Sequence, residues 1–335
     1  MTRLRVVVWS AGGPDIGIGH LARASAVTNA LVAAGAEVHA VQETPATIAP
    51  RARSHRAPTT PVAPGSGLDA VIAALEIPAT VVTDHPLVNA QTEAALRAAG
   101  ALALVHLTHS GADTYAADLL IDGDPIIVPF TNVAHRTVQG AQYLALAPHV
   151  LAKRPSAPWA GTGADRLLVI LGGADPDAFT ERLLASQTAA LRDATFVAGP
   201  AWSEERTAAL VQTAPGRVLV APESTEAVEA MLHHDLIVTL GGITSFEAMA
   251  LGRPCAAVEW SHMRPYVDSL GRAGLLANLG TIDDAPAALD ALTHDGPRLR
   301  SLAEQGFTTF DGRGAHRVAD VVLGLTNERL VSCAS

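Results

Sequence analysis

The stretch LIVTLGGITSFEAMALGRP, residues 236–254, decides the fold because it joins an apolar strand to a glycine turn and a helix start. Residues 236–238 and Leu240 are apolar, as in a short buried strand. Gly241 and Gly242 permit a tight turn and let a ligand approach the backbone closely. This order of elements predicts a βα unit of an α/β domain.

The helix start of this stretch is a candidate phosphate site. Thr244 and Ser245 are good N-cap residues, and apolar side chains at helical spacing follow them. The N–H groups of Gly242, Ile243, Thr244 and Ser245 and the helix dipole then point at one place, where an anion binds. Glu247, in the predicted first turn, is placed to accept hydrogen bonds from a ribose diol. The alternative is a βα turn without a ligand.

A second strand–loop–helix pattern lies near the start of the chain. Residues 5–9 predict a strand, GGPDIGIGH at 12–20 is a glycine-rich loop, and a helix follows. The spacing is not GxGxxG, and the Gly-Lys-Ser/Thr of a P-loop is absent from the sequence. His20 ends the loop. It is either a structural residue that bonds a backbone carbonyl or a general base that works near neutral pH.

Six segments, in this order and spacing, resemble the PseG/SpsG group of nucleotide-sugar hydrolases and predicted glycosyltransferases, which is related to the MurG-like glycosyltransferases. The segments are GIGHLAR at 17–23, VVTDHP at 81–86, ADLLID at 117–122, GAQYLALAP at 140–148, LLVILGGADPDAFT at 167–180 and GGITSFEAMALGRP at 241–254. The resemblance implies an α/β protein of GT-B fold, with two Rossmann-like domains whose parallel sheets face a cleft. It also implies a donor nucleotide on the C-terminal domain and an acceptor, or water, on the N-terminal side.

The resemblance assigns roles to residues at matching positions. His20 matches the catalytic histidine. Asp84 follows a strand at the edge where open sheets bind ligands, so we assign it a catalytic or orienting role, with helix capping as the alternative. The residues assigned to the donor are Gly172, Gly173, Asp175, Gly241, Gly242, Ile243, Thr244, Ser245, Glu247, His262 and Arg264. The residues assigned to the acceptor side are Gly17, Gly19 and His85.

Three departures distinguish this chain from hydrolases of the group. Ala11 stands where their Arg-x-Asp-x-Ser pattern has aspartate, and Pro86 replaces the tyrosine of an Asp-His-Tyr triplet. His262-Met263 replaces an Asn-Gln pair. In the hydrolases these positions orient sugar and water. The departures therefore favour a different donor sugar or an acceptor other than water.

The sequence therefore predicts a glycosyltransferase that uses a nucleoside diphosphate donor, with UDP as the expected nucleotide. Its acceptor is a small molecule or a carrier-bound group, and His20 is the general base. Two alternatives remain open: a nucleotide-sugar hydrolase that releases free sugar and UDP, and a non-catalytic nucleotide-sugar binding protein. GT-B enzymes are usually metal-independent, so no metal or cofactor is expected. His106 and His109 have no carboxylate at metal-ligand spacing.

Length and patterning suit two α/β domains in 335 residues. We expect an acceptor-side domain over 1–152, a linker over 153–165 and a donor domain over 166–310. Residues 311–335 are expected to form a helix that crosses back to the first domain. Strands are predicted at 5–9, 37–41, 80–83, 103–107, 166–171, 195–198, 217–220 and 236–240, and a helical tail at 306–325.

Composition narrows the class of protein. The net charge of −10 disfavours nonspecific nucleic-acid binding. Two cysteines indicate no disulfide framework. No apolar run reaches the length of a membrane helix, and the short N-terminal run does not fit a signal peptide, so a cytoplasmic enzyme is expected. Residues 44–67 predict a long loop with basic side chains, either solvated or in contact with an acidic acceptor group: Arg51, Arg53, His55 and Arg56.

Overall fold

The computed structural model describes residues 4–13, 16, 19–45, 55–86, 88–108, 115–127, 136–173, 175 and 177–334, without the side chains of His262, Cys333 and Ala334. The chain forms two compact units, Met1–Pro148 with Gly312–Ser335, and His149–Asp311. Each unit is an α/β structure built on one parallel sheet. The α/β prediction is confirmed.

The first unit contains a seven-stranded sheet in the order β3-β2-β1-β4-β5-β6-β7, with every neighbouring pair parallel. Its centre is apolar because the valine-rich runs of β1 and β4 are buried on both faces, as parallel sheets require. The strands are β1 (Arg5–Ala11), β2 (Glu37–Glu43), β3 (Thr59–Val62), β4 (Thr80–Asp84), β5 (Ala103–Thr108), β6 (Leu119–Asp122) and β7 (Arg136–Gln139).

Helices cover both faces of this sheet. On one face α1 packs with the C-terminal helix around Val27, Leu31 and Val322. On the other face, Val71 and Leu96 pack against Val7 and Val81. The helices of the unit are α1 (Gly19–Ala33), α2 (Leu68–Ala74), α3 (Ala90–Ala98) and, in the returning segment, α12 (Gly314–Ala334); α4 (Pro148–Leu151) begins at the unit boundary.

The C-terminal helix α12 belongs to the first unit. The hydroxyl of Thr326 donates to that of Thr80 over 2.9 Å, and Arg329 pairs with the buried Asp118. At its start, a Cβ on Gly314 would lie 1.9 Å from the carbonyl oxygen of Leu144, so only glycine fits this contact. These contacts fix α12 against the sheet that carries β4 and β6.

The second unit contains a six-stranded parallel sheet in the order β10-β9-β8-β11-β12-β13. Counted within the unit, this is the order 3-2-1-4-5-6 of a doubly wound Rossmann sheet. Its strands are β8 (Leu167–Val169), β9 (Thr195–Ala198), β10 (Val218–Val220), β11 (Leu236–Thr239), β12 (Cys255–Ala257) and β13 (Ala277–Asn278). Its helices are α5 (Phe179–Ala185), α6 (Glu204–Thr213), α7 (Ser224–His233), α8 (Ile243–Ala250), α9 (Arg264–Arg272), α10 (Ala285–Thr293) and α11 (Gly296–Thr309).

The segment 153–165, for which we predicted a linker, is held against the second unit. Trp159 donates its backbone N–H to Gly252 O over 2.9 Å, and Ala164 donates to Thr293 O over 2.9 Å. Arg154 donates to the carbonyls at the ends of α8 and α11. Proline and glycine prevent a helix here, but they do not prevent packing.

Two local predictions are wrong. Residues 44–67 do not form one loop, because Thr59–Val62 is the edge strand β3; Pro61 is tolerated there since an edge strand has one unpaired side. Residues 306–325 are not one helix, because α11 ends at Thr309 and α12 begins at Gly314. Gly17, Arg51, Arg53 and His109, which carry predicted roles, lie outside the described residues.

Candidate functional site

A buried ion pair and a histidine meet at the C-terminal edge of the first sheet. Asp84 is the last residue of β4, and His20 is the second residue of α1. His20 Nδ1 lies 2.7 Å from Asp84 Oδ1. Arg23, one turn further along α1, donates to the same carboxylate from Nε to Oδ2 over 2.7 Å and from Nη2 to Oδ1 over 2.6 Å. Thus α1 presents two side chains to one carboxylate.

Asp84 is ionised in this arrangement. Burial opposes the charge of the 0 % exposed carboxyl, but the charge and hydrogen bonds of Arg23, with smaller contributions from His20, hold its pKa well below the usual range. An ionised carboxylate only accepts hydrogen bonds, so the proton in the contact belongs to His20 Nδ1. In the neutral imidazole the Nε2 lone pair is then available.

The geometry of His20 is that of a base oriented by a carboxylate. Its side chain is 24 % exposed, whereas Asp84 is completely buried. Among the described residues only Asp84 and Arg23 lie within hydrogen-bond distance of its ring, both at Nδ1. His20 Nε2 can therefore take a proton from a ligand hydroxyl or from water.

His85 follows Asp84 in the chain, and its imidazole contacts the carboxylate of Glu43 instead of that of Asp84. His85 Nε2 lies 3.2 Å from Glu43 Oε2, and its ring lies 4.8 Å from that of Trp9. Burial lowers the pKa of His85, and Glu43 opposes this effect. The His85 ring therefore packs on the buried Trp9, which belongs to the core on the face of the sheet opposite α1. Gly19, also predicted on the acceptor side, is the first residue of α1.

Further polar groups at this edge were not predicted from the sequence. Asp122 ends β6 and Asp124 follows it; both are buried, and both act electrostatically on Arg23. Burial raises the pKa of Asp122. His106 on β5 bonds to the hydroxyl of Thr83 over 2.7 Å, and burial lowers its pKa to about 4. His106 is therefore neutral at pH 7.

A glycine turn lies at the C-terminal edge of the second sheet. Gly241 follows β11 with φ +83°, a region that favours glycine, and a Cβ there would lie 2.7 Å from Val267 Cγ2. Gly242 is exposed and extended, and it precedes the first residue of α8, Ile243. The first N–H groups of a helix have no acceptor within the helix, so α8 points unpaired donors at the space beside Gly242.

The predicted N-cap of α8 is wrong. Gly242 occupies the N-cap position, and Thr244 and Ser245 lie within the first turn. Ser245 is completely buried; its hydroxyl bonds to that of Thr239 over 2.7 Å, and its N–H donates to Gly242 O over 2.9 Å. The Ser245 side chain therefore orders the turn from inside. Thr239 completes this network by accepting from Gly241 N over 3.2 Å.

Glu247 lies in the second turn of α8, one turn later than predicted, because the helix begins at Ile243. Burial raises the pKa of its carboxyl to about 7. Its carboxylate has no hydrogen-bond or ion-pair partner among the described residues, and it is partly exposed. A half-buried carboxyl without a partner is suited to a ligand that supplies hydroxyl donors.

The loop after β8 is ordered by Asp175. This residue is 1 % exposed, and its carboxylate accepts from the N–H groups of Phe179 and Thr180, each over 3.0 Å. Arg206 also pairs with it over 2.9 Å. The Asp175 carboxylate thus holds the start of α5 to the loop after β8. Gly172, predicted with Gly173 to contact the donor, has φ +83°.

The loop after β12 carries the remaining predicted donor residues. His262 lies in a short 3₁₀ helix, Ser261–Met263, and Arg264 begins α9. Arg264 Nε lies 2.7 Å from Glu259 Oε2, and the Arg264 side chain is 67 % exposed. Trp260 on this loop donates to Asp177 on the loop after β8. Because β8 and β12 flank β11, this bond joins the loops on either side of the glycine turn.

Over the ranges that the structure describes, no group of three or more His, Cys, Asp or Glu side chains is placed to hold a metal ion. Within the same part of the chain, no helix combines the length and apolar character needed to span a membrane.

Solved structures with the same fold include GT-B glycosyltransferases and a putative UDP-N-acetylglucosamine 2-epimerase. MurG of Acinetobacter baumannii is 17 % identical, with a TM-score of 0.64 over 96 % of this chain and 99 % of that one. The spinosyn forosaminyltransferase SpnP is 18 % identical, with a TM-score of 0.62 over 97 % and 100 %. A putative UDP-N-acetylglucosamine 2-epimerase of Listeria monocytogenes is 13 % identical, with a TM-score of 0.59 over 98 % of each chain.

These likenesses establish the fold of the chain. The two parallel-sheet units match those of GT-B glycosyltransferase structures over almost the whole length, so the GT-B prediction is confirmed. No protein-family model and no curated protein sequence matches the chain.

Proposed function

We propose that this protein is a glycosyltransferase that moves a sugar from a nucleoside diphosphate donor, UDP-linked, to a hydroxyl of a small-molecule or carrier-bound acceptor. The observation that carries the proposal is the His20–Asp84 pair, with Nδ1 and Oδ1 2.7 Å apart and the ring partly exposed. A GT-B fold and a resemblance to nucleotide-sugar enzymes support the same chemistry.

The second unit holds the donor in this proposal. The diphosphate lies at the start of α8, where the N–H groups of Gly242, Ile243 and Thr244 and the positive end of the helix dipole meet an anion. Glu247 accepts hydrogen bonds from the ribose hydroxyls. Asp175 and Ser245 act from inside, because each is buried and orders one of the loops that surround this place.

The first unit supplies the base. The acceptor hydroxyl attacks the anomeric carbon as its proton passes to His20 Nε2, and the bond from that carbon to the diphosphate oxygen breaks. The nucleoside diphosphate leaves with the bonding electron pair, and the N–H groups of α8 stabilise its charge. Asp84 keeps the ring oriented by accepting the hydrogen bond from Nδ1. A single displacement of this kind inverts the anomeric configuration.

Hydrolysis of a nucleotide sugar is the second candidate. Retention of both His20 and Asp84 favours it, because the same base can activate water. The substitutions at Ala11, Pro86 and His262-Met263 favour transfer, because they remove the residues that orient sugar and water in the resembling hydrolases.

A mass-spectrometric screen tests the proposal. The full chain is incubated with UDP-, dTDP- and GDP-sugars, with and without a cell extract as the source of acceptors. Donor consumption that requires the extract supports a transferase, and the mass added to the acceptor identifies the sugar. Release of free sugar without extract supports the hydrolase. Binding of a donor without turnover in either condition contradicts both candidates and indicates a binding protein.

A matched pair of variants tests the role of His20 in that screen. His20→Ala is expected to lower turnover by about 10²- to 10⁴-fold, the usual contribution of a general base. His316→Ala removes an exposed histidine on α12 and is expected to keep turnover. Equal turnover in the two variants contradicts the assignment of His20.

A further inference from the structure

Arg23 is an unusual neighbour for a histidine base. It lies three residues after His20 on α1, and both of its hydrogen bonds to Asp84 are short, at 2.6 and 2.7 Å. Its Nη2 also lies 3.4 Å from His20 Nδ1. Because Nδ1 carries a hydrogen, this contact places two donors side by side, and both converge on Asp84 Oδ1.

The effect of a carboxylate on a neighbouring histidine depends on whether a cation already balances the carboxylate charge. Alone, a buried carboxylate favours the charged imidazolium, because the two opposite charges attract. An imidazolium has protons on both ring nitrogens and cannot act as a base. Here the single negative charge of Asp84 is already matched by Arg23, and a charge on His20 would lie 3.4 Å from the guanidinium.

The surrounding groups do not replace Arg23. The His20 cluster consists of the groups that face this ion pair from α1, β4, β5 and the end of β6: His20, Arg23, Asp84, His85, His106, Asp122 and Asp124. Burial lowers the pKa of both His85 and His106, so neither supplies a stable positive charge. Asp122 and Asp124 add negative charge on the Arg23 side. Among the described members of the cluster, Arg23 alone is a permanent cation.

We infer that Arg23 is a positioning residue that neutralises the Asp84 carboxylate, so that His20 stays an uncharged base with its Nε2 lone pair free. This inference rests on the proposed function for its catalytic meaning. Arg23 does not touch the acceptor in this account; it acts through Asp84. The charge of Arg23 matters as well as its hydrogen bonds, and this separates the inference from a purely structural role.

Side-chain ¹⁵N NMR of histidine-labelled full-length protein tests the inference without any substrate. The His20 signals are assigned by their loss in His20→Gln, and spectra are compared at pH 7.5. Wild type is expected to show one protonated ring nitrogen, Nδ1. Arg23→Met and Arg23→Gln are expected to show both nitrogens protonated, and Arg23→Lys, which keeps the charge, should resemble wild type.

Two variants, Arg23→Gln and Arg329→Met, separate the loss of the Arg23 charge from a general loss of folding. Arg23→Gln retains a donor for Asp84, so it tests the loss of charge even where Arg23→Met fails to fold. Arg329→Met removes the arginine that pairs with the buried Asp118 on the same sheet, and it should leave His20 unchanged. A singly protonated His20 in Arg23→Gln overturns the inference, and so does a doubly protonated His20 in Arg329→Met.

Turnover separates this inference from the proposed function. Loss of the Arg23 charge leaves the Asp84 carboxylate to favour the imidazolium, so Arg23→Gln should lose turnover at pH 7 and regain part of it as the pH rises to 9. The donor KM should stay unchanged. If the NMR result is as expected but no donor is consumed, the proposed function fails and the role of Arg23 stands. If transfer occurs and His20 is unaltered in Arg23→Gln, the role of Arg23 is refuted.

Discussion

The Asp84→Asn substitution gives a direct measure of the buried ion pair. Asn keeps the shape of the side chain and an oxygen for His20, but it removes the charge that Arg23 binds. Asp84 is 0 % exposed and the Arg23 side chain 9 % exposed, so the guanidinium would remain buried without its main partner. Loss of one partner of a buried pair costs about 3–5 kcal/mol. Because Asp122 and Asp124 also act on Arg23, we expect the lower end, about 3 kcal/mol.

The pH dependence of this loss follows from the lowered pKa of Asp84. A carboxyl whose pKa is lower in the folded state stabilises the protein above the unfolded pKa, about 3.9, and this contribution is lost as the pH falls through the folded value. The difference in unfolding free energy between wild type and Asp84→Asn should therefore be constant from pH 6 to pH 8. It should narrow below about pH 4.

Urea unfolding of the full chain, with hydrogen exchange read peptide by peptide, measures the effect. Peptides of the first unit should lose protection in Asp84→Asn, and those of the second unit provide an internal reference. Asp320→Asn, at an exposed position on α12, is the matched control and should lie within about 0.5 kcal/mol of wild type. A loss below about 1 kcal/mol for Asp84→Asn would refute the reasoning.

Two further predictions concern the second unit. Gly241→Ala places a Cβ 2.7 Å from Val267 Cγ2 at φ +83°, whereas Gly274→Ala, at φ +72°, meets no atom within 4 Å. Calorimetric unfolding should therefore show a loss of stability of about 1 kcal/mol for Gly274→Ala and a larger loss for Gly241→Ala. Only Gly241→Ala should weaken UDP binding. Equal effects of the two substitutions would show that the turn tolerates a side chain. Burial raises the pKa of the Glu247 carboxyl to about 7, so between pH 5 and 7 the folded protein keeps a proton on Glu247 that the unfolded chain releases. Wild type should therefore lose stability relative to Glu247→Gln as the pH rises from 5 to 8. Parallel stability profiles would contradict this.

Much of the fold could be predicted because it follows from local pattern. The runs that became β1, β4 and β11 are short and rich in β-branched residues, and period and length identify them. The sequence pattern does not predict strand β3, because its four residues, Thr-Thr-Pro-Val, include only one large apolar side chain. Its place is fixed by pairing with β2, a contact that local sequence does not show.

The candidate site was predictable only in part. His20 and Asp84 were found separately, from a loop ending and a strand ending. Their contact joins residues 64 positions apart, so it depends on the parallel pairing of β1 and β4. Arg23 was visible three residues after His20, at the spacing that places two side chains on one helix face. That spacing predicts that His20 and Arg23 converge on one group.

The direction of a polar loop side chain cannot be predicted from composition. Ser245 and Asp175 are both polar and both adjoin glycine turns, as ligand-binding residues often do. Each is nevertheless buried and bonds to the turn itself. Thus residues that shape a loop and residues that touch a ligand have the same sequence signature, and only the fold separates them.

The most direct test of the central claim is the turnover number of His20→Ala, measured with the donor and acceptor found by the screen, together with its dissociation constant for UDP. We predict a fall of about 10²- to 10⁴-fold in turnover with unchanged UDP affinity, because the base and the nucleotide are assigned to different units. Full turnover in His20→Ala would contradict the claim that this histidine is the base.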